Sequence, residues 1–216
     1  MNTHTPHNHE DFETLLMDYA AGMLNEAHNL FVSSYITVSP QARHTVRKYE
    51  TAGGILMESC SPATMAANSL HNVLERLTER PTKNTEQNTV PEEEEYWPAP
   101  IQKYVVSRRW RYVVPGIKAL DIPVTDCRSK VLLMKARPGA KLPTHEHRGK
   151  ELTLVLDGIM HDENGTYQRG DVLIKTTGSV HTPVADPHTG CLSLTIIDVP
   201  VRLRKFHAFF KIIIKY

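Results

Sequence analysis

The chain has 216 residues, 40% hydrophobic and 23% charged with a formal net charge of +1, the make-up of an ordinary globular protein with room for one large domain or two small ones. No apolar run approaches the roughly 18 residues of a membrane span, and the opening MNTHTPHNHEDFETLL lacks the basic-then-apolar layout of a signal peptide, so a cytoplasmic protein is expected. The three cysteines, Cys60, Cys127 and Cys191, are too few and too far apart for a disulfide framework or a zinc knuckle.

From Asp11 to about Leu77 the pattern is helical. Phe12, Leu15, Leu16, Tyr19 and Met23 recur at three- and four-residue spacing and form one stripe, with Gly22 and Asn25 punctuating its end. Leu30, Phe31, Ser34, Tyr35 and Val38 repeat the period. Ser39-Pro40 reads as an N-cap followed by proline at the first helical position, opening a third helix through about Met57. Gly53-Gly54 within it permit close helix contact or mark its end. Ser61-Pro62 repeats the start signal before a fourth amphipathic run through Leu70, Val73, Leu74 and Leu77. Four short helices with brief turns predict a small four-helix bundle over residues 1–80.

Residues 81–100 are rich in Pro, Thr, Asn and Glu, break every periodicity and read as a linker. Beyond them, short β-prone stretches alternate with turn signals: Lys130–Lys135, Leu152–Leu156, Asp171–Lys175 and Leu192–Ile197, with Asp157-Gly158 and Glu163-Asn164-Gly165 as tight turns. This texture predicts an antiparallel β barrel or jelly roll over residues 101–216, closed by a final strand or helix over Phe206–Tyr216. The fold class is therefore α+β and multidomain. Charge divides the same way: residues 1–80 hold five Lys/Arg against nine Asp/Glu, and residues 101–216 nineteen against ten.

Most of the chemistry lies in the second half. His145 and His147, two apart on a strand, project from one face, and Glu151 follows after a tight turn at Arg148-Gly149. Gly170-Asp171 leads into a strand, and His181 lies on one that can fold back beside the first pair. Three imidazoles and one carboxylate suit a borderline divalent ion, zinc first, with iron, manganese, nickel or copper compatible. Such a site needs neutral imidazoles and an ionised Glu151, so affinity falls in acid. Tyr167 and Cys191 are read as packing residues, His161 and His188 as exposed turn residues, and Cys60 as inert.

The spacing of Gly139, His145, His147, Glu151 and Gly158, followed by Gly170, Gly178 and His181, resembles the two motifs of the cupin superfamily. Thr176 and Ala185 depart from them at positions that ligate nothing. With the helical half, the chain as a whole resembles the ChrR-type anti-sigma factors of bacteria. Tyr19-Ala20-Ala21-Gly22, Leu24, Gly53-Gly54, Trp110, Pro115-Gly116-Ile117, Asp162 to Tyr167 and Gly170-Asp171 carry that likeness, beside the cupin ligands. The resemblance implies that the helices bind an extracytoplasmic-function sigma factor and that the cupin responds to singlet oxygen or peroxide. It implies no direct nucleic-acid contact and no membrane.

One departure is large. Family members hold a zinc in the helical domain, and the matching positions here are Tyr35, Ser39 and Ala42. With His9, His28 and His44 unpaired, no second zinc is expected, and Phe31 and Tyr35 take over by packing. The other reading left open is a metal-dependent cupin dioxygenase or isomerase with an accessory helical domain.

Overall fold

The structure, a computed structural model, describes residues 9–78, 97–105, 109–125 and 129–203. Cys127, most of the linker and Phe206–Tyr216 lie outside the described residues. Five helices are described, α1 (His9–Ala20), α2 (Glu26–Val38), α3 (Pro40–Glu58), α4 (Ser69–Thr78) and α5 (Ala99–Val105). None is long and apolar enough to cross a membrane.

The helix boundaries follow from local chemistry. Asn25, expected at the end of the first helix, instead caps the second, its side chain accepting the His28 backbone N–H at 3.0 Å. Ser39 caps α3 as anticipated, accepting the Ala42 N–H at 3.3 Å ahead of Pro40. Gly53-Gly54 lie inside α3 and do not end it, and among the described residues a Cβ at either would meet nothing within 4 Å. The Ser61-Pro62 signal is not used. Residues 61–68 are exposed and non-helical, and α4 begins eight residues after Ser61, at Ser69. A short helix with no face to bury is marginal in water, whatever its cap. The helix α5, within the end of the expected linker and the start of the β half, was not anticipated.

Eleven strands follow: β1 (Arg111–Val114), β2 (Ile117–Ile122), β3 (Lys130–Ala136), β4 (His145–Glu146), β5 (Glu151–Asp162), β6 (Gly165–Gln168), β7 (Val172–Lys175), β8 (Val180–His181), β9 (Val184–Ala185), β10 (Cys191–Ile197) and β11 (Arg202–Leu203). Their pairings are antiparallel. One sheet runs β1-β2-β3-β10-β5-β6, with β7 and β9 also on β5, and a second runs β11-β4-β8. Of the antiparallel barrel or jelly roll expected from the sequence, the described residues show two antiparallel sheets and no closed barrel.

Asp157-Gly158 is not a hairpin turn either. It sits within β5, where the register against β10 shifts and the strand goes on to pair with β6 and β9. Gly158 has φ +71°, and a Cβ there would lie 2.3 Å from the Gly190 carbonyl oxygen. The same glycine signal serves a turn and a close backbone approach within a strand, because both can need positive φ and no Cβ.

The four-helix bundle is the other expectation corrected. The described residues fall into two compact units, one within residues 1–50 and 97–216 and the other within residues 51–96. Within the first unit, Phe12 and Leu16 of α1 and Leu30 and Phe31 of α2 share one buried cluster with Leu152, Leu154 and Leu156 of β5 and Leu192, Leu194 and Ile196 of β10. The amphipathic stripes therefore bury against a sheet. Period-two alternation gives each of these strands two working faces, with Leu152 and Leu154 toward the helical cluster, and Glu151 and Thr153 toward an interior cavity. Polar contacts at the start of α2 add to this packing: the Glu26 carboxylate accepts the Thr125 backbone N–H at 2.6 Å, the Thr125 hydroxyl at 2.7 Å and the Tyr104 hydroxyl at 3.1 Å. Tyr35, at a position where the resembling family ligates zinc, packs edge-on against Phe12 with ring centroids 5.2 Å apart.

In the second unit, Leu70, Val73, Leu74 and Leu77 fall on one stripe of α4, and all are more than half exposed.

Candidate metal centre

His145 and His181 face each other across the β4–β8 pair, and His147 follows directly after β4. The chain is held there by its backbone: the His147 N–H donates to the Ser179 carbonyl, and the Gly178 N–H donates to the His147 carbonyl, both at 2.9 Å. All three rings are buried. The Nε2 atom of His181 lies 2.9 Å from Nε2 of His145 and 3.0 Å from Nε2 of His147.

The Nδ1 of His145 lies 2.9 Å from the Pro143 carbonyl, which can only accept, so that nitrogen carries the proton and Nε2 presents a lone pair. The Nδ1 of His181 lies 3.0 Å from the Asp162 carboxylate and donates by the same reasoning. Between the neutral rings two lone pairs therefore meet at 2.9 Å. Protonating a ring could relieve them, but burial pushes His145 down to about 4 and His147 down to about 3, with neighbouring imidazoles adding to both shifts. With Nδ1 of His145 and of His181 donating elsewhere, their Nε2 lone pairs form a donor set that a divalent cation satisfies. Among the described residues, His145, His147 and His181 are the group whose ligating atoms come close enough for one ion.

Glu151 is buried and opens β5, but its carboxylate stands apart from that trio. One oxygen lies 3.7 Å from Nδ1 of His147, the ring nitrogen away from His181, and the other accepts the Thr153 hydroxyl at 3.1 Å. Burial raises its pKa, partly offset by His181, Thr153 and Lys175. Three of the four residues expected as ligands thus converge, with the fourth beside them.

A cavity of about 130 Å³ adjoins His145, Glu151 and His181. Its walls are mainly apolar, among them Val113, Ile117, Leu132 and Met134, with Arg111 and Lys130 also on the lining. These two cations pair with Asp121 at 2.7 and 3.0 Å. Cys191 lines the same space, its thiol pushed up to about 12 by burial and by Asp157, so it is protonated and a poor nucleophile. Tyr167 instead donates its hydroxyl to Asp162 at 3.2 Å. His161, expected in a turn, lies on β5 against Thr166 and Asp186, while His188 is exposed as expected.

Sequence reasoning missed the residues behind His181, namely Asp162 and Lys175. Burial alone would raise the Asp162 pKa, but hydrogen bonds from His181, Lys175 and the Asn164 N–H outweigh it and hold the carboxyl well below the usual range.

Comparison with known proteins places these features in context. Residues 104–197 match the family model described as the ChrR cupin-like domain. The chain is 33% identical to the anti-sigma-E factor ChrR of Cereibacter sphaeroides over 205 residues, 92% of this chain and 93% of that one. A crystal structure of Rhodobacter sphaeroides SigE in complex with the anti-sigma ChrR superposes with a TM-score of 0.70 at 29% identity, covering 86% of this chain and 96% of the matched one.

Proposed function

Since the chain belongs to the ChrR family of anti-sigma factors, we propose that it sequesters an extracytoplasmic-function sigma factor in the cytoplasm, and that its cupin half holds a divalent metal and senses oxidative stress. The observation that carries the reading is the likeness to ChrR along almost the whole chain, helices included. In functional terms residues 1–80 form the sigma-binding part, 81–100 the linker and 101–216 the cupin, although α1 and α2 also pack on the sheet.

The chemistry of α4 supports a protein partner. An exposed stripe of Leu70, Val73, Leu74 and Leu77 at i, i+3, i+4 and i+7 is the pattern by which an amphipathic helix docks into an apolar groove. No nucleic-acid contact is needed for this role.

His145, His147 and His181 would hold the metal, with Glu151 as a fourth ligand after a side-chain rotation, and zinc is the first choice for such a set. A bound divalent ion would supply a Lewis-acid centre and tie together the two segments that carry the ligands. No second zinc is proposed for the helices. The two faces of β5 offer a route from sensor to helices. Glu151 faces the cavity and the adjacent Leu152 packs in the cluster that includes Phe31 and Leu30, so a shift of the ligand strand reaches α2 directly.

Co-expression of the full chain with each extracytoplasmic-function sigma factor of its source tests the reading. One of them should copurify in a one-to-one complex, and Leu70→Asp with Leu77→Asp should abolish capture while zinc content stays unchanged. Failure of every such sigma factor to copurify would remove the proposal. The cavity beside the histidines favours a second reading, a metal-dependent dioxygenase or isomerase. Iron-loaded protein that consumes oxygen with a small apolar substrate would support that alternative.

A further inference from the structure

Behind the three rings lies a fully buried carboxylate. Asp162 closes β5 at the hairpin into β6, and its side chain has 0% exposure. One of its oxygens lies 3.0 Å from Nδ1 of His181 and 2.7 Å from Nζ of Lys175. The other accepts the Asn164 backbone N–H at 2.8 Å and the Tyr167 hydroxyl at 3.2 Å. Lys175, Asn164 and Tyr167 all donate here, so the ring nitrogen of His181 must donate as well. The neutral ring is then the Nδ1–H tautomer, and its Nε2 turns a lone pair toward Nε2 of both His145 and His147.

We propose that Asp162 is a positioning residue for the divalent cation: it fixes His181 in the tautomer and orientation that ligate through Nε2. Lys175, itself buried, neutralises the carboxylate, so the arrangement leaves no lone charge in the interior. The inference rests on the metal-binding reading of the site. It explains why a carboxylate and not a carboxamide occupies the position. With four donors aimed at two oxygens, an asparagine would turn its own N–H₂ toward at least one of them. It also gives the hairpin Asp162-Glu163-Asn164-Gly165 a second task, because the Asn164 N–H that closes the turn also holds the carboxylate.

The test uses the full chain labelled with ¹⁵N. Long-range ¹H–¹⁵N correlation reads the His181 tautomer with and without zinc, and competition against a chromophoric chelator reads zinc affinity. In the native protein Nδ1 carries the proton and Nε2 does not, in both states. Asp162→Asn and Asp162→Ala should lower zinc affinity by roughly 10- to 100-fold, the usual effect of losing a residue that orients a ligand. In both variants the His181 resonances should move toward a mixture of tautomers, a signature that loss of packing alone would not give. Two results would overturn the proposal: a proton on Nε2 of His181 in the metal-free native protein, or native zinc affinity in folded Asp162→Asn. Should neither variant fold, the native tautomer decides alone. A native chain that binds no divalent metal would sink the metal reading, with the tautomer still measured separately.

Discussion

Truncating Phe31 to alanine asks whether the helices and the sheet form one cooperative body. Phe31 has 0% exposure and lies in the cluster that also holds Leu152, Leu154, Leu194 and Ile196. Removing a buried phenylalanine side chain costs about 3–5 kcal/mol, made up of lost transfer energy and the cavity left behind. In a domain of 150–250 residues each kcal/mol moves the midpoint by about 2–4 °C, so Tm should drop by roughly 10 °C. Differential scanning calorimetry of the full chain gives the answer, with far-UV and near-UV circular dichroism recorded in parallel. The helical signal and the near-UV signal of Trp110, which packs against the same cluster, should move down together. If the helical signal melted early while the near-UV transition stayed at its native temperature, the shared core would be refuted.

The close approach of β5 to Gly190 admits only glycine at position 158, so Gly158→Ala, meeting the Gly190 carbonyl with φ +71°, should lower stability by at least about 2 kcal/mol in urea unfolding. Acid should weaken the metal-free fold. His145 and His147 have folded pKa values of about 4 and about 3, below the ordinary 6.5, so the unfolded chain binds more protons in that window. Stability is therefore complete above about pH 6.5 and falls as pH drops toward 4, by about 3 kcal/mol from His145 alone; an unfolding midpoint unchanged between pH 7 and 4.5 would contradict this. Zinc affinity of the folded chain should fall at lower pH, as pH drops through about 4 toward about 3, because only there do protons compete for the same lone pairs. His181→Ala removes the nitrogen that both other rings face, and should bring zinc content in dialysed protein close to zero.

Much of the site was legible because its spacing is local. His145 and His147 are two residues apart, and His181 follows a glycine-marked strand entry, so convergence could be read without coordinates. Asp162 was not legible as a partner of His181. The sequence around it spells a hairpin, which is present, and nothing in that signature reveals which ring the carboxylate will meet from β8. In the helical half, periodicity showed that Phe12, Leu16, Leu30 and Phe31 are buried, but a stripe does not say what covers it. A neighbouring helix and the outer face of β5 and β10 satisfy it equally well. The α5 segment escaped notice because seven residues are too few to show a period and its flank is rich in proline. Asp157-Gly158 misled for a physical reason as well, since a turn and a close backbone approach within a strand ask the same conformation of glycine.

The central claim is sequestration of a sigma factor, and transcription measures it most directly. RNA polymerase is reconstituted with an extracytoplasmic-function sigma factor of the source organism and its promoter, and the purified full chain is titrated in. The account predicts that, for one such sigma factor, transcript falls to background near one chain per sigma factor, while transcription by the housekeeping sigma factor is unaffected. Undiminished transcription for every extracytoplasmic-function sigma factor at a tenfold excess of the chain would contradict it.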